Sequence, residues 1–175
     1  MNQGWLWRYG WLFPWLVLMA VSYLVRGPLP IDETRYLGVA WEMWQRQDFL
    51  VPYLNGEPYS HKPPVLFWLF HAGWAVWGVN EWWPRLVAPL FALAALYLTR
   101  IMAVRLWPDR PRVAILAPWI LAGCLLWALY TPMTMFDMPL VALVILGMLG
   151  LLRAGRGHLI TGWLLVGLAA GLGIL

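Results

Sequence analysis

The sequence predicts an all-α protein, a bundle of helices that cross a membrane, with further helices on the membrane surface. Hydrophobic residues make up 62% of the chain and charged residues only 11%, whereas soluble domains contain about a quarter charged residues. Fifteen of the 175 residues are Trp, a side chain that favours the boundary between lipid and water. These observations predict a polytopic membrane protein with much structure at that boundary.

Five apolar segments are candidates for spans, since a transmembrane helix needs about 20 apolar residues. We interpret the first as a retained span, because its apolar run continues past Ala20-Val21-Ser22, where a signal peptide would be cleaved. The fourth is short but extends back through Met133–Phe136. The predicted spans are Trp5–Val25, Arg85–Leu106, Val113–Tyr130, Met138–Leu152 and Leu159–Leu175.

The segment Val65–Val79 decides the topology, because it is apolar but too short for an ordinary span. If it lies on the membrane surface and the N-terminus is cytoplasmic, seven of the 12 cations lie inside and seven of the 8 acids lie outside. A spanning Val65–Val79 would violate the positive-inside rule unless the whole chain were inverted. We therefore predict five spans, with Val65–Val79 on the outer surface and the N-terminus in the cytoplasm. The seven inner cations are Arg8, Arg100, Arg105, Arg110, Arg112, Arg153 and Arg156.

Residues 26–84 then form a first periplasmic loop with two surface helices. Thr34–Gln47 has the periodicity of an amphipathic helix. Asn55-Gly56-Glu57-Pro58 is a turn sequence, and Pro63-Pro64 suits the first turn of the helix that follows. The apolar face of the first surface helix is predicted to be Leu37, Ala40, Trp41 and Trp44.

The predicted topology places several polar side chains on the same, periplasmic side of the membrane. Asp32 and Glu33 precede the amphipathic helix, where a carboxylate is favoured by the helix dipole. Either residue could cap the helix, and Asp32 could act as a general base on an acceptor hydroxyl. Arg35 lies on the same side, and Asp137 begins a later span. Asp137 could also be a capping residue, or it could complete a site with Asp32.

The cations on this side point to an anionic substrate. Lys62 precedes the helix that begins after Pro63-Pro64, where a cation opposes the helix dipole, so capping does not explain it. An anion held between Lys62 and the first-turn amides would explain it, as would nonspecific contact with lipid phosphates. His61 could be a neighbour, a hydrogen-bond partner or a metal ligand. Arg85 could pair with Glu81 or bind phosphate.

Other functions find little support in the sequence. The net charge of +4 requires no nucleic acid, and no Walker loop, nucleophile elbow or HExxH motif is present. The single Cys124 can form neither an internal disulfide nor a metal cluster. No cofactor is required, although Asp32, Asp137 and His61 would suffice for a divalent metal. Gly167-x-x-x-Gly171 predicts close helix packing.

An ordered series of motifs over residues 28–140 resembles the bacterial polyprenyl-phosphate-dependent GT-C glycosyltransferases. The similarity is greatest to the 4-amino-4-deoxy-L-arabinose lipid A transferases, which belong with the protein O-mannosyltransferases. The motifs are Asp32-Glu33-Thr34-Arg35-Tyr36, Ala40-x-Glu42-Met43, Pro52-x-x-Asn55-Gly56-x-Pro58-Tyr59, Lys62-Pro63-Pro64-x-x-x-Trp68, Glu81-x-x-x-Arg85-Leu86 and Thr134-Met135-Phe136-Asp137.

This resemblance implies transfer of a sugar from a polyprenyl phosphate carrier to a lipid A-like, glycan or protein hydroxyl, with inversion at the anomeric carbon. It implies that Asp32 is the catalytic carboxylate, that Asp137 is a second site carboxylate and that Lys62 binds the carrier phosphate. Glu33, Arg35, His61 and Arg85 are the further candidates for substrate binding. Family members are longer, so residues 1–175 are expected to correspond to their N-terminal transmembrane module. The alternative is a noncatalytic remnant or a lipid-binding membrane subunit.

Overall fold

The computed structural model describes residues 7–175. Within them, the longer helices are joined by short connections, and a single two-stranded hairpin interrupts the helical pattern. The helices are α1 Leu12–Val25, α2 Asp32–Arg46, α3 Val65–Trp77, α4 Trp82–Leu106, α5 Pro111–Ala122, α6 Leu125–Tyr130, α7 Asp137–Gly155 and α8 Leu159–Ile174, and the strands are β1 Tyr53–Leu54 and β2 Glu57–Pro58.

Two of these helices are long and apolar enough to cross a bilayer. They are α4 with 25 residues and α7 with 19 residues, or about 38 Å and 29 Å at 1.5 Å per residue. Large apolar side chains are exposed on several helices, including Phe13, Leu24, Ile120 and Ile160, as expected for surfaces that face lipid. The other apolar helices, α1, α3, α5 and α8, have 12 to 16 residues.

Two predicted spans are interrupted in the structure. Val113–Tyr130 is not one helix, because α5 ends before Gly123 and Cys124 has an extended backbone with φ −71° and ψ 125°. Met133–Phe136 does not extend α7, which begins at Asp137. That segment is a turn, and the Thr134 amide donates to a side chain and not to a helical carbonyl. Trp5 and Leu6 of the first predicted span lie outside the described residues.

The helix predicted at Thr34–Gln47 is observed as α2, and its buried face is rotated from the prediction. Tyr36, Val39, Ala40 and Met43 are buried, whereas Trp41 is 42% exposed. The buried face packs against Leu66, Phe67, Phe70 and Trp74 of α3 and against Val87 of α4. Because α2 is covered by α3, its apolar contacts are made within the protein.

The hairpin between α2 and α3 confirms the predicted turn. Tyr53 pairs with Pro58 and Leu54 with Glu57. Asn55 and Gly56 both have positive φ, 53° and 84°, as a two-residue hairpin turn requires. The hairpin leads to Tyr59 and Lys62 at the start of α3, so it sets where these side chains lie.

The close contact between α7 and α8 involves other glycines than predicted. A Cβ atom on Gly162 would lie 2.5 Å from the Ala154 backbone nitrogen, and one on Gly150 would lie 2.9 Å from the Gly162 carbonyl oxygen. A Cβ on Gly167 or Gly171 would meet no atom within 4 Å. The prediction of close packing at Gly167-x-x-x-Gly171 is therefore wrong for the described structure.

Candidate functional site

The N-terminus of α2, the segment before α3 and the N-terminus of α7 converge at one end of the molecule. The Arg35 guanidinium pairs with the Asp32 carboxylate at 2.7 Å. The rings of Tyr36 and Phe136 meet edge to face, with 5.3 Å between their centres. Lys62 Nζ lies 5.5 Å from the centre of the Phe136 ring. Since Asp137 follows Phe136 directly, four of the predicted site residues are gathered around this aromatic contact.

Two buried tyrosines lie among these charges. Burial raises the pKa of Tyr36; the adjacent Arg35 lowers it, and the Asp32 and Asp137 carboxylates raise it. Burial also raises the pKa of Tyr59, which is within electrostatic reach of Arg35, Lys62 and Asp32. The two tyrosines therefore link Asp32, Lys62 and Asp137 into one electrostatic cluster.

Tyr59 has an unusual environment for a buried hydroxyl group. The side chain is only 7% exposed, and its hydroxyl oxygen has no hydrogen-bond partner within the described part of the chain. Buried polar groups normally have a partner, because an unsatisfied one costs about 1–3 kcal/mol. A ligand that reaches the Lys62 side of the cluster could supply this partner.

Glu33 has a structural environment that differs from that of its neighbour Asp32. Its side chain is fully buried and accepts hydrogen bonds from the Leu29 amide at 2.6 Å, the Thr134 amide and the Arg26 guanidinium. Burial alone would raise the pKa of Glu33, but these bonds and the Arg26 charge together hold it below its ordinary value. Glu33 thus connects the start of α2 to Arg26 and Leu29, which precede it, and to the turn that contains Thr134. Its contact with substrate stays a prediction.

Arg26 and Arg85 extend this network toward α1 and α4. Arg26 also donates to the Pro132 carbonyl oxygen at 2.6 Å. Arg85 donates to the carbonyl oxygens of Ser22, at 3.3 Å, and of Arg26, and its guanidinium lies 4.6 Å from the centre of the Tyr23 ring. Arg85 therefore caps the C-terminus of α1 and does not pair with Glu81. The predicted phosphate contact of Arg85 has no support in this geometry.

A groove opens beside Lys62. Its volume is about 170 Å³, and its walls are apolar. Lys62 is the one charged side chain in its lining, which otherwise comes from the start of α3, from α7 and from the end of α8. A cation at one end of an apolar groove suits a ligand with an anionic head and a hydrocarbon tail. The apolar lining includes Leu66, Phe136, Leu140, Leu143 and Leu172.

The metal candidates are not gathered into a binding cluster. No group of three or more His, Cys, Asp or Glu side chains suited to a metal occurs within residues 7–175. His61 is exposed and stacks near Tyr59, with 5.2 Å between ring centres. Of the alternatives for His61, this position favours a residue that neighbours the site without binding a metal. A divalent metal at Asp32 and Asp137 stays a prediction.

Sequence reasoning did not select Tyr36, Tyr59 or Phe136 as site residues. The signal that could have found them is their position, since each lies within three residues of a selected charge. Residue type alone did not distinguish these three side chains, because aromatic residues are abundant throughout this chain.

Comparisons with known proteins give matches over most of the chain. The family model described as dolichyl-phosphate-mannose-protein mannosyltransferase matches residues 61–175. The chain is 30% identical over 180 residues to the undecaprenyl phosphate-alpha-4-amino-4-deoxy-L-arabinose arabinosyl transferase of Erwinia tasmaniensis, covering 96% of this chain and 31% of the relative. It is 32% identical to the transferase of the same name from Pseudomonas aeruginosa strain UCBPP-PA14, covering 91% of this chain and 30% of the relative.

The fold also matches a solved structure. The crystal structure of ArnT from Cupriavidus metallidurans bound to undecaprenyl phosphate superimposes with a TM-score of 0.77 at 25% identity, over 99% of this chain and 33% of that one. The chain thus spans about a third of the length of the relatives it matches. The resemblance read from the motifs is confirmed, and the chain belongs to the dolichyl-phosphate-mannose-protein mannosyltransferase family of membrane glycosyltransferases.

Proposed function

We propose that this chain forms the donor side of a glycosyltransferase site, where a sugar leaves a polyprenyl phosphate carrier. The observation that carries the proposal is the Lys62 groove and its position beside the Asp32, Arg35 and Asp137 cluster. The similarity to undecaprenyl phosphate-dependent transferases supports the same chemical class of donor.

Lys62 would hold the carrier phosphate and Leu140, Leu143 and Leu172 would contact the first part of its hydrocarbon chain. When the sugar is transferred, the bond between the anomeric carbon and the phosphate oxygen breaks and the electron pair stays on the phosphate. An ammonium group beside that oxygen stabilises the developing charge. The Tyr59 hydroxyl would donate a further hydrogen bond to the same phosphate.

Asp32 would act as the general base. It would take the proton from the acceptor hydroxyl as the acceptor oxygen bonds to the anomeric carbon, opposite the departing phosphate, so the configuration inverts. The ion pair with Arg35 holds the Asp32 carboxylate in place for this role. Asp137 would orient the sugar or the acceptor from the other side of the cluster.

We propose five spans, with the N-terminus in the cytoplasm and this site at the periplasmic face of a bacterial inner membrane. Two observations support this topology. Helix α3 has 13 residues, or about 20 Å, which is shorter than the 30 Å hydrocarbon core. Residues 60–64 and 78–81 on its two sides are not helical, whereas the equally short α1 and α5 have further helical residues close to one end. Its buried face also packs on α2, as a helix on the membrane surface would.

The acceptor in this proposal is a hydroxyl of a lipid A-like molecule, a glycan or a protein. Residues that select among these acceptors would lie in the parts of the relatives that this chain does not match. A divalent metal could assist through Asp32 and Asp137, although the described residues hold no three-ligand cluster.

The test is transfer of sugar from a polyprenyl-phosphate-linked donor, measured for the protein and for two variants, Asp32→Asn and Lys62→Ala. Both are expected to lose transfer by at least about 100-fold, the size of a general-base contribution. Glu57→Gln is the matched control, because this carboxylate is exposed on the hairpin outside the cluster. Retained transfer by both site variants would refute the site assignment. Absence of any transfer by the folded protein would favour the alternative of a noncatalytic lipid-binding module.

A further inference from the structure

A second cavity lies beside the C-terminal part of α4, the helix whose N-terminal part carries Arg85. Its volume is about 200 Å³, and two arginines, Arg8 and Arg100, contribute to its lining. Arg100 follows Arg85 by 15 positions on the same helix, which corresponds to about 22 Å along the helix axis. The remaining lining includes Val104, Trp107, Pro111 and Ile115.

Arg100 lies in the last two turns of α4 and has no anionic partner among the described residues. It precedes the end of α4 at Leu106 by six positions, or about 9 Å. Its Nε atom is buried and has no hydrogen-bond partner among the described residues. The guanidinium carbon lies 5.2 Å from the centre of the Tyr9 ring, a contact that offsets only part of the desolvation of a cation.

The acidic residues of the described chain do not neutralise these arginines. The ion pairs found within residues 7–175 are Arg26–Glu33, Arg35–Asp32 and Arg46–Glu42. Asp109 lies in the turn between α4 and α5, but it is exposed and forms none of these pairs. A partly buried cation at the membrane boundary is stabilised by a counter-charge, so the cavity favours an anion from outside the chain.

The shape and lining of the cavity indicate which anion fits. Guanidinium groups bind phosphate oxygens with two parallel hydrogen bonds. Helix α5 begins at Pro111 in the cavity wall, and its dipole also favours negative charge there. Trp107 is 46% exposed at the end of α4, as is typical of side chains in the headgroup layer. The apolar walls beside it suit a glycerol backbone and acyl chains.

We propose that this cavity binds the phosphate of an anionic phospholipid, at the membrane face opposite the donor groove. The shared chemistry is a phosphate anion held by Arg8 and Arg100, and the source we favour is the lipid headgroup. The bound lipid would neutralise Arg100 and fix the N-terminal segment against α4. This inference does not depend on the proposed transferase reaction.

The experiment measures lipid binding to the purified protein in detergent by native mass spectrometry, with phosphatidylglycerol and phosphatidylcholine as probes. We expect phosphatidylglycerol to bind about tenfold more tightly, and Arg100→Gln to remove that preference, since a charge-assisted hydrogen bond of this kind is worth about a factor of ten. Arg112→Gln is the matched control, because it removes the same charge from an exposed position of α5 that does not line the cavity.

Three results would overturn the proposal. The first is equal binding of the two lipids by the unmodified protein. The second is an equal loss of the preference for phosphatidylglycerol in Arg100→Gln and Arg112→Gln, which would indicate a general effect of surface charge. The third is displacement of phosphatidylglycerol by millimolar inorganic phosphate, which would identify free phosphate as the ligand. If Arg100→Gln does not fold, Arg100→Lys keeps the charge without the planar fork and must still weaken phosphatidylglycerol binding; unchanged binding would count against the site.

Discussion

The carboxylate of Glu33 accepts a hydrogen bond from the backbone amide of Thr134, which lies 101 residues further along the chain. This bond joins the N-terminus of α2 to the turn before α7. Asp32 and Asp137, the two carboxylates of the candidate site, lie at the start of these same helices. The bond between Glu33 and Thr134 therefore helps to fix the separation of Asp32 and Asp137.

Replacement of Glu33 by Gln is expected to destabilise the protein by about 3 kcal/mol, because it leaves the partly buried Arg26 without its counter-charge. Glu42→Gln is the control on the same helix. Glu42 accepts the Asn55 and Gly56 amides of the hairpin, and its loss should cost about 1 kcal/mol. Thermal unfolding in detergent measures both. Equal effects of the two substitutions would argue against a special role for the Glu33 network.

The stabilisation by Glu33 should depend on pH in a defined direction. Its pKa is held below the ordinary value of 4.5 in the folded protein. Its contribution is therefore complete above pH 4.5 and is lost as the pH falls through the lower, folded value. The difference in unfolding temperature between the protein and Glu33→Gln should shrink under these acidic conditions. A difference that stays constant from neutral pH to below pH 4 would contradict this assignment.

Tyr59→Phe is expected to separate stability from function. The buried hydroxyl has no partner in the described structure, so its removal should leave stability unchanged or raise it by about 1 kcal/mol. If the hydroxyl donates to the carrier phosphate, sugar transfer should fall about tenfold. Tyr53→Phe is the control, since Tyr53 contacts Arg46 on the hairpin and lies outside the site. A stability loss without an effect on transfer would show that the hydroxyl has a structural partner instead.

The contact between α7 and α8 predicts opposite effects for two glycine substitutions. Gly162→Ala should destabilise by about 1–3 kcal/mol, because the new methyl group would overlap the Ala154 backbone. Gly167→Ala has open space for its methyl group and should be neutral or stabilising, since alanine favours a helix. Unfolding temperatures of the two variants provide the comparison. Loss of stability in Gly167→Ala would point to a partner on that face of α8.

The proposed topology can be tested by labelling single cysteines in a Cys124→Ser background, which is needed because Cys124 is exposed. Cysteines at Gln47 and Asp137 should react with an impermeant reagent added from the periplasm, and one at Arg156 should not. All three positions are exposed in the described structure, so a lack of reaction reports sidedness. Labelling of Gln47 and Asp137 from opposite sides would disprove a common site at one membrane face.

Local patterns in the sequence identified much of this architecture. The amphipathic period predicted α2 to within two residues. Asn55-Gly56-Glu57-Pro58 predicted the turn, because Asn and Gly favour positive φ, but not the two short strands around it. The four residues Asp32, Arg35, Lys62 and Asp137 were also selected from charge, position and motif. A common side of the membrane allows these residues to meet but does not require it; their proximity depends on tertiary contacts such as that between Tyr36 and Phe136.

The remaining features depend on contacts that no local pattern records. The buried face of α2 is rotated toward Tyr36 and Met43 because α3 covers it, and periodicity alone could not identify that partner. The sequence suggested a capping or catalytic role for Glu33. Its bond to Thr134 could not be predicted, because the two residues are far apart in sequence. The break at Gly123 and the tight contact at Gly162 likewise follow from tertiary packing.

Lys62 is proposed to hold the phosphate of a polyprenyl carrier at the end of an apolar groove. The dissociation constant of undecaprenyl phosphate, measured for the purified protein and for Lys62→Ala, tests this role. Uncharged undecaprenol is the matched ligand, and Arg112→Gln is the matched variant. We predict that Lys62→Ala weakens binding of the phosphate about tenfold, leaves binding of the alcohol unchanged and differs from Arg112→Gln, which retains both affinities. Equal affinity of Lys62→Ala and the unmodified protein for undecaprenyl phosphate would contradict the claim.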